Sequence, residues 1–142
     1  MESLPDIPAI VPTDRRDFQY AEWWFGRFER LRALAAEVVR TIRERCPRAR
    51  VVLHAILPSG ERPDDAKRLR DARRVNERIR LLADGRNVLW CDFGPKLLEP
   101  DGTLAKETAH DFVHLTEKGY EIWTAALLPY LDCCLGFSGE PP

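Results

Sequence analysis

Serine is scarce in this sequence, occurring only at Ser3, Ser59 and Ser138, and asparagine occurs only at Asn76 and Asn87. Chemistry that needs an activated serine or an amide-lined anion pocket therefore has few residues to draw on. No apolar run approaches the roughly 20 residues that a bilayer span needs. The opening residues, MESLPDIPAIVP, also lack the basic start and apolar block of a secretory signal. These absences lead to the expectation of a cytoplasmic protein without a membrane span. Cys46, Cys91, Cys133 and Cys134 fall in no Cys-x-x-Cys spacing, and adjacent thiols such as Cys133 and Cys134 rarely bridge each other. They read as reduced thiols, which fits the same compartment.

What is present belongs to a globular chain. Hydrophobic residues make up 44% of the 142 and charged residues 32%, outside the ranges of disordered or membrane proteins, and the length suits one domain. Net charge is −1, but residues 1–91 carry 19 basic and 14 acidic side chains while residues 92–142 carry 3 and 9. A basic side and an acidic side follow.

Residues 1–21, with three prolines and no periodicity before TDRRD, read as an extended arm. Phe25, Phe28, Leu31, Ala35, Val38, Val39 and Ile42 then recur at helical spacing, and Pro47 ends the helix. RVVLHAIL, residues 50–57, is short, aliphatic and not strictly alternating, as a strand covered on both faces would be. A second helix is expected over 65–82, with Leu69, Ala72, Val75, Ile79 and Leu82 on one stripe and Asp84-Gly85 as its end signal. NVLWCDF, residues 87–93, reads as a second buried strand. After a loop, Thr116 can cap a last helix whose inner face carries Tyr120, Trp123, Leu127 and Tyr130 or Leu131. Residues 133–142 form a fraying tail. Two strands separated by an amphipathic helix make a parallel crossover of an α/β sheet, with functional loops beyond the strands' carboxyl ends.

The loop after the second strand carries HDFVHLTEKGY, residues 110–120. A histidine general base needs a carboxylate on its far ring nitrogen to set the tautomer and stabilise the imidazolium, and Asp111 can do this for His114 from one turn of loop. Asp-x-x-His also arises by chance in ordinary surface histidines, so the spacing alone leaves both readings open.

VVLHAILPSGERP, RRVNERIRLL, NVLWCDF, DGTL and HDFVHLTEKGYEIWTAALLPYL resemble, in order and spacing, the C-terminal half of the SGNH (GDSL) hydrolases. The likeness runs over about residues 28–131 and is nearest to the catalytic subunits of platelet-activating-factor acetylhydrolase Ib. Its most specific parts are the Leu-Pro-x-Gly turn and the Asp-x-x-His block. The resemblance implies a doubly wound, flavodoxin-like three-layer α/β/α fold, here a part lacking the N-terminal strands. It divides the chain into an arm (1–21), a C-terminal half-domain (22–132) and a tail (133–142).

The resemblance makes Asp111 the orienting acid and His114 the base of an ester hydrolase. It implies no metal or organic cofactor. The family's nucleophilic serine lies in a Gly-Asp-Ser block, and a glycine and an asparagine elsewhere hold the oxyanion. No residue here matches any of the three. Ser59 sits in the Leu-Pro-x-Gly turn and reads as a solvated turn serine. The expected partners are an ester substrate if a missing half completes the site, and a homodimer or a complementing chain. The alternative is a non-catalytic binding half-domain.

Three rival constellations carry less. His110 and His114 with Cys133 and Cys134 supply only half of a zinc pattern. The basic helix KRLRDARRVNERIR invites a nucleic-acid reading, but its apolar stripe and the overall charge favour a solvated face and no nucleic acid. The aromatic run FQYAEWWFGRF, residues 18–28, suits core packing or a partner-binding patch.

Overall fold

The computed structural model describes the backbone of residues 15–60, 66–137 and 139–142, with side chains from residue 29 except those of 61–71 and 138. Helix α1 spans Arg15–Arg45, strand β1 Val51–His54, helix α2 Ala66–Arg80, strand β2 Val88–Cys91 and helix α3 Glu117–Leu135. A short 3-10 turn, Gly94–Leu97, follows β2. No helix among the described residues is long and apolar enough to cross a membrane.

The strands pair in parallel, as the crossover pattern predicts, in the register Val51↔Val88 to His54↔Cys91. Side chains alternate between the faces of this sheet. Leu53 and Trp90 point to one face and pack with Val75 and Ile79 of α2 and Ala35 of α1. Val52 and Cys91 point to the other, where Phe93, Leu97, Leu104 and Ala109 meet Ile122, Trp123, Ala126 and Tyr130 of α3. The result is an α/β sandwich with α1 and α2 on one side and α3 on the other. Phe93 and Leu97 are 2% and 1% exposed, and each such burial contributes about 1.5–3 kcal/mol.

Both strands are shorter than the apolar runs suggest, for local reasons. Beyond β1, the N–H and C=O of Ile56 go to the Asn76 side-chain amide of α2, at 2.8 and 3.1 Å, and leave the ladder after Ala55. Beyond β2, Asp92 Oδ1 accepts the Gly94 N–H at 3.0 Å and turns the chain into the 3-10 segment. Strand β2 is largely buried, whereas β1 is only half-buried, and among the described residues neither strand is paired on its other edge.

Three boundaries differ from the sequence expectations. Helix α1 begins at Arg15, so the arm does not extend to residue 21; RRDFQYAE holds no proline or glycine to oppose a helix. Residues 1–14 lie outside the described part. Helix α3 runs through Cys133–Leu135, which belong to the fold and not to a tail. Cys133 is buried, Arg50 Nη1 donates to its carbonyl at 2.9 Å, and Gly136 at φ 82° caps the helix. The inner face of α3 carries Trp123 and Tyr130 as expected, joined by Ile122 and Ala126, while Tyr120 is exposed. Leu31 and Val38 of α1, expected on the packed stripe, likewise face outward.

The long connection from β2 to α3 is pinned at several points. Isolated bridges join Leu98 to Leu104 and Ala109 to Leu115. Thr116 caps α3 as predicted, accepting from Gly119 N–H at 3.2 Å, and its hydroxyl donates to the Glu107 carbonyl. Thr108 O accepts from Thr116 N–H at 2.9 Å. The fit is close: a Cβ on Gly119 would lie 2.3 Å from Thr108 O and 3.1 Å from Leu115.

Two tests follow from these contacts. Gly119→Ala should lower stability by about 1–3 kcal/mol through overpacking against backbone, while Gly139→Ala, with open space around it, should leave the urea midpoint unchanged. Asp84 Oδ1 accepts N–H bonds from Arg86, Asn87 and Val88 at 2.7–2.9 Å, which bring its pKa down to about 2. A depressed carboxylate stabilises the fold above its unfolded pKa of about 3.9 and loses that contribution as pH falls through the folded value. In a series of urea melts, Asp84→Asn should therefore remove part of the stability decline between about pH 4 and pH 2.

Candidate functional site

The turn after β1 and the loop before α3 both lie beyond the carboxyl ends of the parallel strands, the edge where α/β sheets place their ligands. Asp111 and His114 stand in that loop. Asp111 Oδ1 accepts the N–H groups of His114 and Val113 at 2.7 and 3.0 Å. Its Oδ2 lies 2.6 Å from His114 Nδ1. A carboxylate can only accept, so Nδ1 carries the proton and Nε2 is left as the basic nitrogen of the neutral ring. The same contacts, the His114 backbone N–H foremost and then its ring, hold the Asp111 carboxyl well below the usual carboxylate range. The pair is also open to an incoming group: the His114 side chain is 76% exposed.

This geometry requires an unusual backbone. Phe112, between the two residues, has φ 62°, in the left-handed region that costs a non-glycine residue about 1–3 kcal/mol. Its ring packs against the core beside α3, with the Lys106 ammonium 5.6 Å from the ring centre. Its carbonyl accepts the N–H of Gly60, in the turn after β1, at 2.8 Å. The two most specific parts of the sequence, Leu-Pro-Ser-Gly and Asp-Phe-Val-His, are thus joined directly.

The other candidates fall elsewhere. Ser59 is exposed in the turn and lines a cleft of about 320 Å³ with Ile56, Leu57, Arg73, Asp92 and Leu98. Among the described residues no hydrogen bond joins Ser59 to His114. Asn76 spends both ends of its amide on Ile56, so it holds the turn and offers nothing to an anion. His110 Nε2 is 3.9 Å from Asp111 Oδ2, beyond hydrogen-bond reach. Cys133 and Cys134 sit in the last turn of α3, about 25 Å of helix from His114 at 1.5 Å per residue. That separation removes the proposed zinc grouping. The side chains of the aromatic run 18–28 lie outside the described residues.

One residue of this edge was not singled out by pattern. His54 ends β1 with its ring edge-on to Phe93 and Trp123, at centroid distances of 6.0 and 5.8 Å, and burial lowers its pKa. No motif marks it, because its neighbours come from distant parts of the chain.

Comparison with known proteins places the chain in a family. The model of the GDSL-like Lipase/Acylhydrolase family matches residues 11–122. The match starts inside the N-terminal arm, ahead of the stretch from residue 28 that carries the resemblance. Platelet-activating factor acetylhydrolase IB subunit alpha1 is 36% identical in Bos taurus and 34% in Homo sapiens over 84 residues, 58% of this chain and 35–36% of each relative. A solved Streptococcus pneumonia protein named for platelet activating factor superposes with a TM-score of 0.61 at 25% identity, over 72% of this chain and 50% of that one. The chain therefore spans about a third of the length of the curated relatives it matches and half of the solved structure. A family model that covers both strands and the Asp111–His114 loop, together with these relatives, establishes that the chain belongs to the GDSL-like lipase/acylhydrolase family.

Proposed function

We propose that this chain carries the acid–base half of a serine ester hydrolase, with His114 as the general base and Asp111 as its orienting acid. The observation that carries the reading is the 2.6 Å contact between Asp111 Oδ2 and His114 Nδ1, which leaves Nε2 free at the carboxyl edge of the sheet. In the completed site, a serine hydroxyl gives its proton to His114 Nε2 as its oxygen attacks the ester carbonyl. His114 then returns the proton to the leaving alcohol, and a water repeats the cycle to release the acid. Asp111 stays ionised throughout and stabilises the imidazolium. The names of the relatives favour a short acyl ester, such as an acetyl ester, as substrate.

The serine and the oxyanion donors are expected from outside this stretch, because none of Ser3, Ser59 and Ser138 stands in a nucleophile block. In this reading the two strands are part of a larger doubly wound sheet, and the missing strands come from a complementing chain or segment. The open edge of β1 and the exposed stripe Leu128, Leu131 and Leu135 on α3 support it, since both are surfaces that a further layer would cover. The same two surfaces favour the second reading, a binding half-domain that docks on a partner without chemistry.

The 142-residue chain alone should hydrolyse short-chain p-nitrophenyl esters no faster than background. Joined to the serine-bearing segment of a relative, it should become active. In that completed protein His114→Ala should lower kcat by about 10³-fold or more, and Asp111→Asn by a comparable factor. Activity that survives His114→Ala would leave the binding reading in its place.

A further inference from the structure

The Asp111–His114 pair is exposed, lies on a loop, and depends on a left-handed Phe112, so something outside the loop must keep it in register. We propose that Gly60 is a positioning residue for this pair, acting from the turn after β1 through its hydrogen bond to the Phe112 carbonyl. The inference rests on the proposed catalytic role of the pair and assigns a task to the Leu-Pro-Ser-Gly turn.

The turn is a strut with three fixed points. At its near end, the Asn76 amide of α2 grips the N–H and C=O of Ile56. In its middle, Pro58 packs so close to Gly94 that a Cβ there would lie 2.9 Å from the proline ring. At its far end, Gly60 donates its N–H to Phe112 O at 2.8 Å. Gly60 reaches that carbonyl only at φ 93°, a conformation side chains rarely adopt.

Phe112 O in turn fixes the peptide that leads into Val113, whose N–H, with that of His114, is held by Asp111 Oδ1. Release of the carbonyl lets Phe112 relax toward negative φ. The two amides then swing off the carboxylate, and the ring contact at Oδ2 loses its frame. Ser59, next to Gly60, has an exposed side chain and takes no part in these contacts.

The test is the titration of the Asp111 carboxyl carbon, followed by ¹³C NMR in the full 142-residue chain between pH 5 and pH 2. In the native chain Asp111 should remain ionised well below the usual carboxylate range, as its three hydrogen bonds require. Gly60→Ala should raise the midpoint by about one pH unit or more, toward the ordinary value of about 3.9. Gly60→Asn, which tolerates left-handed backbone, should restore most of the depression, and Ser59→Ala should match the native chain. Backbone amide shifts of Leu89 and Cys91 report whether the sheet is intact.

An intact sheet with Asp111 titrating natively in Gly60→Ala overturns the proposal. So does a Gly60→Asn chain no nearer to native than Gly60→Ala. If Gly60→Ala does not fold, exchange of the native Gly60 amide decides: slow exchange supports the hydrogen bond to Phe112, and exchange as fast as that of Gly139 overturns it. None of these readouts involves ester hydrolysis, so a completed enzyme that tolerates His114→Ala would remove the catalytic reading and leave this one standing.

Discussion

Parallel pairing of β1 with β2 is the constraint on which the rest of the arrangement depends. Because the strands point the same way, the chain leaves both at one edge of the sheet, and the turn after β1 meets the loop after β2. An antiparallel pair would have sent these segments to opposite ends. The hydrogen bond between Gly60 and Phe112, and with it the contact between two sequence blocks fifty residues apart, exists because of that common edge.

The loop bearing Asp111 and His114 gains its order from both sides. Leu97, Leu104 and Ala109 anchor it in the core under α3, while Thr108, Thr116 and Gly119 lock its end to the first turn of that helix. His110, Asp111, Val113 and His114 remain exposed. This division suits the proposed acid–base pair: buried, closely packed residues support the loop, and the His114 ring faces outward. The hydrogen bonds that orient His114 also keep Asp111 ionised, so geometry and charge have a single cause.

Apolar surface is unevenly distributed. The interior faces of α2, β2 and α3 are well covered, yet β1 is half-buried and Leu34, Val38, Leu128 and Leu135 are exposed. A two-stranded sheet is a small platform for its helices, and its free edge carries backbone groups able to accept another strand.

Local chemistry made much of this legible in the sequence. Helical spacing located α1 and α2, aliphatic runs located both strands, Thr116 marked the start of α3, and Asp84-Gly85 marked the turn before β2, because each signal acts within a few residues. The Asp111–His114 contact was legible for the same reason, being three residues apart. Where β1 stops, the place of Ile122 and Ala126 on the inner face of α3, why α3 continues through Cys133, and what holds Phe112 left-handed were not. These depend on Asn76, Ile122, Arg50 and Gly60 meeting partners far away in the chain. By itself the sequence determined the order of elements and the pairing of Asp111 with His114, since propensity, capping and short-range spacing are written locally. Only the tertiary structure decided strand ends, the full inner face of α3 and the seating of the pair, because these follow from which distant groups satisfy one another's hydrogen bonds and fill one another's space.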